Sequence, residues 1–188
     1  MPRSSSRASA PKRLVIDSDV VQAAGGAEAQ TETARLCRQF LQAVLEICHQ
    51  VVLTATLGAE WKRHSSSFAR KRRVRMDARK KVLRPQPDDE VGVVVQKVLS
   101  QVEDSNAQEA LRKDVHLIEA ALVTDRIVIF RDETTRSVLR GVVSHVAELR
   151  KLVWVNPIRA DEGAIDWLRD GAPADAHRQL GYVPRPEG

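Results

Sequence analysis

The stretch RLVIDSDVV, residues 13–21, decides the fold. Leu14, Val15 and Ile16 follow Arg13 as an unbroken apolar run, which reads as a short strand buried on both faces and therefore central and parallel. The run stops on Asp17, and a second aspartate follows at Asp19. Two carboxylates at the end of a buried strand are costly unless something compensates their charge.

Outward from that strand, the two glycines of QAAGGAEAQ (22–30) break the pattern, and a helix is expected from Thr31. Leu36, Cys37, Phe40, Leu41, Val44, Ile47 and Cys48 recur at helical spacing, which puts both cysteines on a buried stripe as core residues. HQVVLTAT (49–56) reads as a second strand; a helix from about Leu57 carries Glu60, Trp61, His64 and Phe68 into a basic window. RPQPDDE (84–90) is punctuation, and a helix over about 91–102 follows. Asn106 and Glu109 have capping-box spacing for a further helix with Leu111, Val115, Ile118 and Leu122 on one face. RIVIF (126–130) is a third strand ending at Arg131-Asp132; helices over 133–141 and about 142–151, the strand LVWVN (152–156) and a helix with Trp167 inward complete the pattern.

Strands alternating with helices predict an α/β protein, a three-layer α/β/α fold on a doubly wound, mostly parallel sheet. The expected organisation is a disordered basic tail over 1–12, one domain over 13–170 with a basic segment at 62–84, and a C-terminal tail over 171–188. A length of 188 residues suits one such domain, and 43% hydrophobic with 29% charged residues argues against global disorder. No stretch has the roughly 18 to 20 apolar residues of a membrane span. MPRSSSRASAPKR lacks the apolar core of a secretory signal, and two free cysteines fit a cytoplasmic protein without membrane contact.

The net charge of +5 is unevenly spread. Lys62 to Arg84 holds eleven Lys/Arg, with Arg70, Lys71, Arg72, Arg73 and Arg75 clustered, against Asp77 alone, leaving a net −5 for the rest. Such a patch attracts polyanions, phosphate backbones foremost; a solvated charge run is the plainer alternative.

In open parallel sheets ligands bind beyond the carboxyl ends of the strands. Asp17 and Asp19 fall there after the first strand and Asp132 after the third; Asp114 interrupts an apolar helix face, and Glu60 lies on the helix leaving the second strand. Singly, each reads as a cap or an ion-pair partner, Asp132 before ETTR being a natural N-cap. Converging, they would repel unless a divalent cation joined them, and oxygen ligands without His or Cys suit Mg²⁺ or Mn²⁺. Asp17, Asp19, Asp114 and Asp132 are the expected ligands. Beside a cationic surface this suggests phosphodiester hydrolysis. Thr134, Thr135 and Arg136, at a helix start, are candidate phosphate contacts. His116 reads first as a helix histidine satisfied by its neighbours and second as a substrate contact. Trp61, Phe68, Trp154 and Trp167 read as packing residues.

Over residues 13–156 the sequence resembles the PIN-domain nucleases. RLVIDSDVV is similar to that family's opening strand, with Asp17 in its invariant place, and KDVHLIEAALVTDRIVIFRDETTR to its closing half, an aspartate opening a helix and a second acid after a strand. The resemblance implies Asp17, Glu60, Asp114 and Asp132 as the catalytic carboxylates of a Mg²⁺- or Mn²⁺-dependent ribonuclease acting on RNA. It also implies homodimerisation or an inhibitory antitoxin as further partners, as in toxin–antitoxin members. Phe130 stands where the family often has Thr, and Asp19 where Asn or Ser is usual.

DSDVV also fits the Asp-x-Asp opening of haloacid-dehalogenase-type phosphatases, with Asp17 as nucleophile, Asp19 as acid/base and Thr54 as the hydroxyl residue. That pattern then needs a lysine and two acids a turn apart, where this chain has adjacent Asp132 and Glu133, and it leaves Asp114 without a role. A third reading is a catalytically inactive PIN-like domain that binds RNA.

Overall fold

Strand β1 (Arg13–Ile16) loses its apolar residues entirely from solvent, which is possible only with strands on both sides and helices on both faces. A computed structural model, describing residues 10–26 and 28–184, shows that arrangement. Five parallel strands, β1, β2 (Gln50–Val52), β3 (Val82–Leu83), β4 (Ile127–Ile129) and β5 (Val153–Val155), run in the order β3-β2-β1-β4-β5. The register sets Leu14 against Val51, Val15 against both Val52 and Val128, and Ile129 against Val155.

The chain starts at the centre, moves outward through β2 and β3, then crosses back over the sheet to β4 and β5. Helices α1 (Ser18–Ala23), α2 (Glu32–Glu46), α3 (Ala55–His64) and α4 (Ser67–Ala78) belong to the outward path and pack on one another. Helices α5 (Asp89–Ser100), α6 (Ser105–Leu122) and α7 (Glu133–Val142) belong to the return path, and α6 lies over β1 and β4. The result is the three-layer α/β/α fold the sequence predicts. The winding reverses between β1 and β4, so a crevice opens at their carboxyl ends, where Asp17 begins.

Several local expectations change. The basic window is two helices and a strand: α3 stops at Ser65, Ser66 caps α4 by accepting from Ala69 N, and β3 follows. Helix α2 ends at Glu46, so Cys37 is buried as expected but Cys48 is exposed beyond the helix end. Asp104, not Asn106, caps α6, because its carboxylate reaches Ala107 N at 2.6 Å. Asp114 therefore sits in the middle of a helix rather than opening one. No helix follows at 142–151 beyond a 3-10 turn, Ala147–Leu149. Residues 171–184, expected as a tail, fold back on β5: Gln179 bridges Val153, and Leu180 N donates to Leu152 O at 2.9 Å. The basic tail expected over 1–12 lies outside the described residues as far as residue 9.

Trp61, Trp154 and Trp167 are core residues, and Phe68 packs against the core, as read from the sequence. Among the described residues no helix is long and apolar enough to cross a membrane.

Candidate metal centre

Asp17 follows directly on β1 and caps α1. Its backbone N–H donates to Ile129 O of β4 at 3.0 Å, and its Oδ2 accepts from Asp19 N at 2.9 Å. The side chain is thereby fixed over the crevice, and the residue is only 6% exposed. Asp19, in the first turn of α1, is half-buried beside it. Its Oδ2 accepts from Arg131 Nε at 3.2 Å, and its Oδ1 is shielded with no hydrogen-bond partner. Burial, then the Asp17 carboxylate, push the Asp19 pKa up to about 8 against the opposing pull of Arg131.

Helix α3 delivers Glu60 to the same place. Thr54 caps this helix, accepting from Leu57 N at 3.3 Å. The indole of Trp61, next to Glu60, donates to Ile16 O at 2.8 Å, tying α3 to the last residue of β1. From the other face α6 presents His116, only 8% exposed, with Nε2 2.9 Å from Glu60 Oε2. That contact is within ion-pair distance but lacks the alignment of a hydrogen bond, and Nε2 has no hydrogen-bond partner. One ligand atom each from Asp17, Glu60 and His116 lie within 4.8 Å of one another, a grouping able to hold a metal ion.

Asp114 flanks this trio. Its Oδ2 accepts from Thr135 Oγ1 of α7 at 3.0 Å. Burial raises its pKa to about 6; the Thr135 hydrogen bond and His116 oppose the rise, while the Asp17 and Asp132 carboxylates add to it. Asp132 is exposed and caps α7, accepting from Thr134 N at 2.7 Å.

The structure thus departs from the expected ligand set. Of the expected ligands Asp17, Asp19, Asp114 and Asp132, the close grouping among the described residues takes in Asp17, and joins it to Glu60 and His116. Asp114 is near enough to feel Asp17 and Asp132, and Asp19 is engaged with Arg131. His116 was discounted as a satisfied helix histidine, yet its Nε2 is unsatisfied. Its position two residues after Asp114, on the buried face of α6 beside Leu117 and Ile118, is the sequence signal for it.

Compared with models of protein families and with curated proteins, the chain matches none.

The cationic residues divide by burial. On α4, Arg70, Lys71 and Arg75 are exposed, and Arg72 stacks 4.6 Å over the Phe68 ring. Arg73 lines a cavity of about 360 Å³ with Leu53 and Thr54 from the end of β2 and with Arg84, which pairs with Asp77 at 2.6 Å. This cavity opens on the carboxyl edge of the sheet, the edge that carries Asp17. Thr134 is exposed at the start of α7. Arg136 is not a free phosphate contact: it is buried, paired with Glu162 at 2.5 Å, and donates to Trp154 O at 3.1 Å. Glu162 in turn accepts from Asn156 N at 2.9 Å, so this network fastens α7 to the segment after β5.

Proposed function

We propose that the protein is a divalent-metal-dependent ribonuclease of the PIN type, hydrolysing RNA phosphodiester bonds at the carboxyl edge of its sheet. The observation that carries this reading is the meeting of Asp17, Glu60 and His116 at the crevice where the winding reverses. Two further acids, Asp19 and Asp114, are held there with pKa values raised first by burial and then by the neighbouring carboxylates.

When bound, the cation would supply Lewis-acid activation of a water and neutralise charge developing on the phosphoryl group. Asp17 is positioned to hold it by two backbone interactions, and Glu60 by the Trp61 tether. Thr135 fixes Asp114 through the hydroxyl hydrogen bond, aligning a carboxylate beside the trio. Arg70, Lys71 and Arg75, exposed on α4, and Arg73 and Arg84, lining the cavity, supply cations for a polynucleotide backbone. No Ser or Cys nucleophile is needed.

The test is a panel of end-labelled RNAs incubated with wild type, Asp17→Asn and Asp19→Asn in Mg²⁺, Mn²⁺ or EDTA. Cleavage that needs metal and Asp17 but survives Asp19→Asn is expected. Cleavage undiminished in Asp17→Asn sinks the assignment. Phosphate release from a monoester that collapses in Asp19→Asn, with RNA left intact, turns the protein into a phosphatase instead. RNA binding without cleavage or metal uptake leaves a binding module.

A further inference from the structure

The imidazole of His116 stands among the carboxylates of the cluster. Its Nε2 is shielded from solvent and has no hydrogen-bond partner, although it lies 2.9 Å from Glu60 Oε2. Buried ring nitrogens in folded proteins are normally satisfied, so an orphan aimed into an acidic crevice needs a reason. A bound cation supplies one. Around an octahedral ion with bonds of about 2.1 Å, donor atoms at adjacent vertices stand roughly 3.0 Å apart. The Glu60–His116 separation is close to that value, and one ligand atom each from Asp17, Glu60 and His116 lie within 4.8 Å of one another.

We infer that His116 Nε2 ligates the metal together with Asp17 and Glu60, making a mixed nitrogen–oxygen centre that selects Mn²⁺ over Mg²⁺. This rests on the metal-dependent reading above and sharpens it. An all-carboxylate set serves either ion. Mg²⁺ is a hard ion that keeps oxygen and water ligands, whereas an imidazole lone pair favours the later, softer divalent ions. His116 is rigidly offered: α6 packs over β1 and β4, with Leu117 and Ile118 beside it in the core. The competing role for the ring is an ion pair with Glu60 and nothing more.

The decisive measurement is Mn²⁺ titrated into the full chain and followed by electron paramagnetic resonance, with electron spin echo modulation used to detect directly bound ¹⁴N. Wild type should take up Mn²⁺ with a ¹⁴N coupling that disappears in His116→Gln. Competition with Mg²⁺ should show the Mn²⁺ preference falling about tenfold in that variant. His116→Asp, which restores an all-oxygen set, should still bind Mn²⁺, without ¹⁴N coupling and with Mg²⁺ competing more strongly. Mn²⁺ bound to wild type with no ¹⁴N coupling overturns the inference and leaves a carboxylate-only metal enzyme standing. No Mn²⁺ uptake at all overturns both. If His116→Gln does not fold, the wild-type spectrum alone decides.

Discussion

Asp114→Asn should make the metal-free protein more stable, and only above a definite pH. Burial is the largest cause of the raised Asp114 pKa, from 3.8 to about 6. A folded-state value above the unfolded one means that, between about pH 4 and pH 6, the folded chain holds a proton the unfolded chain has lost. Stability contributed by protonated Asp114 is therefore complete below about pH 4 and lost as the pH rises through about 6. Full ionisation corresponds to about 3 kcal/mol. The side chain is partly solvated, and screening reduces this to roughly 1–2 kcal/mol. Asparagine removes the charge and keeps a carbonyl oxygen for the Thr135 hydroxyl. Urea denaturation in EDTA, followed by circular dichroism, should show the variant more stable by that amount at about pH 8 and nearly equal to wild type at about pH 4. Saturating Mn²⁺ should shrink the difference, since a nearby cation offsets the penalty on the wild-type carboxylate. A variant less stable than wild type at the higher pH, or equally stabilised at both, would refute the electrostatic account.

Other perturbations separate the roles of the surrounding residues. Replacing Arg70, Lys71 and Arg75 together by alanine should weaken RNA binding and flatten its salt dependence by about 2 in log–log slope, if each meets one phosphate of a single strand; an unchanged slope removes α4 from the interface. Arg136→Met should cost about 3–5 kcal/mol in chemical denaturation, because Glu162 is left buried without its nearest cation. A loss under about 1 kcal/mol would show that Arg159 and Arg178 hold Glu162 adequately. Trp61→Phe should cost about 2–3 kcal/mol by orphaning Ile16 O and opening a small cavity. It should also weaken Mn²⁺ binding through Glu60; calorimetry showing unaltered affinity would mean that the tether does not position the carboxylate.

The fold was legible where burial writes itself into sequence. β1, β4 and β5 are short apolar runs, and their alternation with amphipathic helices specifies the layers. β3 was not, because Val82 and Leu83 stand alone among Lys80, Lys81 and Arg84, and only pairing with Val51 and Val52 makes them a strand. The start of α6 was misplaced for a different reason: Asp104, Ser105 and Asn106 are consecutive cap formers, and choosing between them takes the backbone conformation. At the site, Asp17, Glu60 and Asp114 could be named because acids near strand ends and on apolar helix faces stand out. His116 stands out only as a second-choice substrate contact, because a histidine on a buried stripe looks the same whether its ring nitrogen is satisfied or orphaned. Arg136 misled in the opposite direction, a cation beside Asp132 whose buried partner, Glu162, lies 26 residues away.

The central strand explains why charge gathers at this one point. β1 stands at the winding reversal, paired with β2 of the outward path and β4 of the return path, so the outward helices leave its end while α6 returns across it. The peptide groups there are already committed, Ile16 O to Trp61 and Asp17 N to Ile129 O, so the backbone cannot relax away from the carboxylate that follows. Rigid backbone brings Asp17, Glu60 and His116 together from three separate elements, while burial beside them raises the pKa values of Asp19 and Asp114. Hydrogen bonds at β1, α3 and α7 thus brace the cluster against the rearrangement that would separate its buried acids, the preorganisation that the proposed metal binding requires.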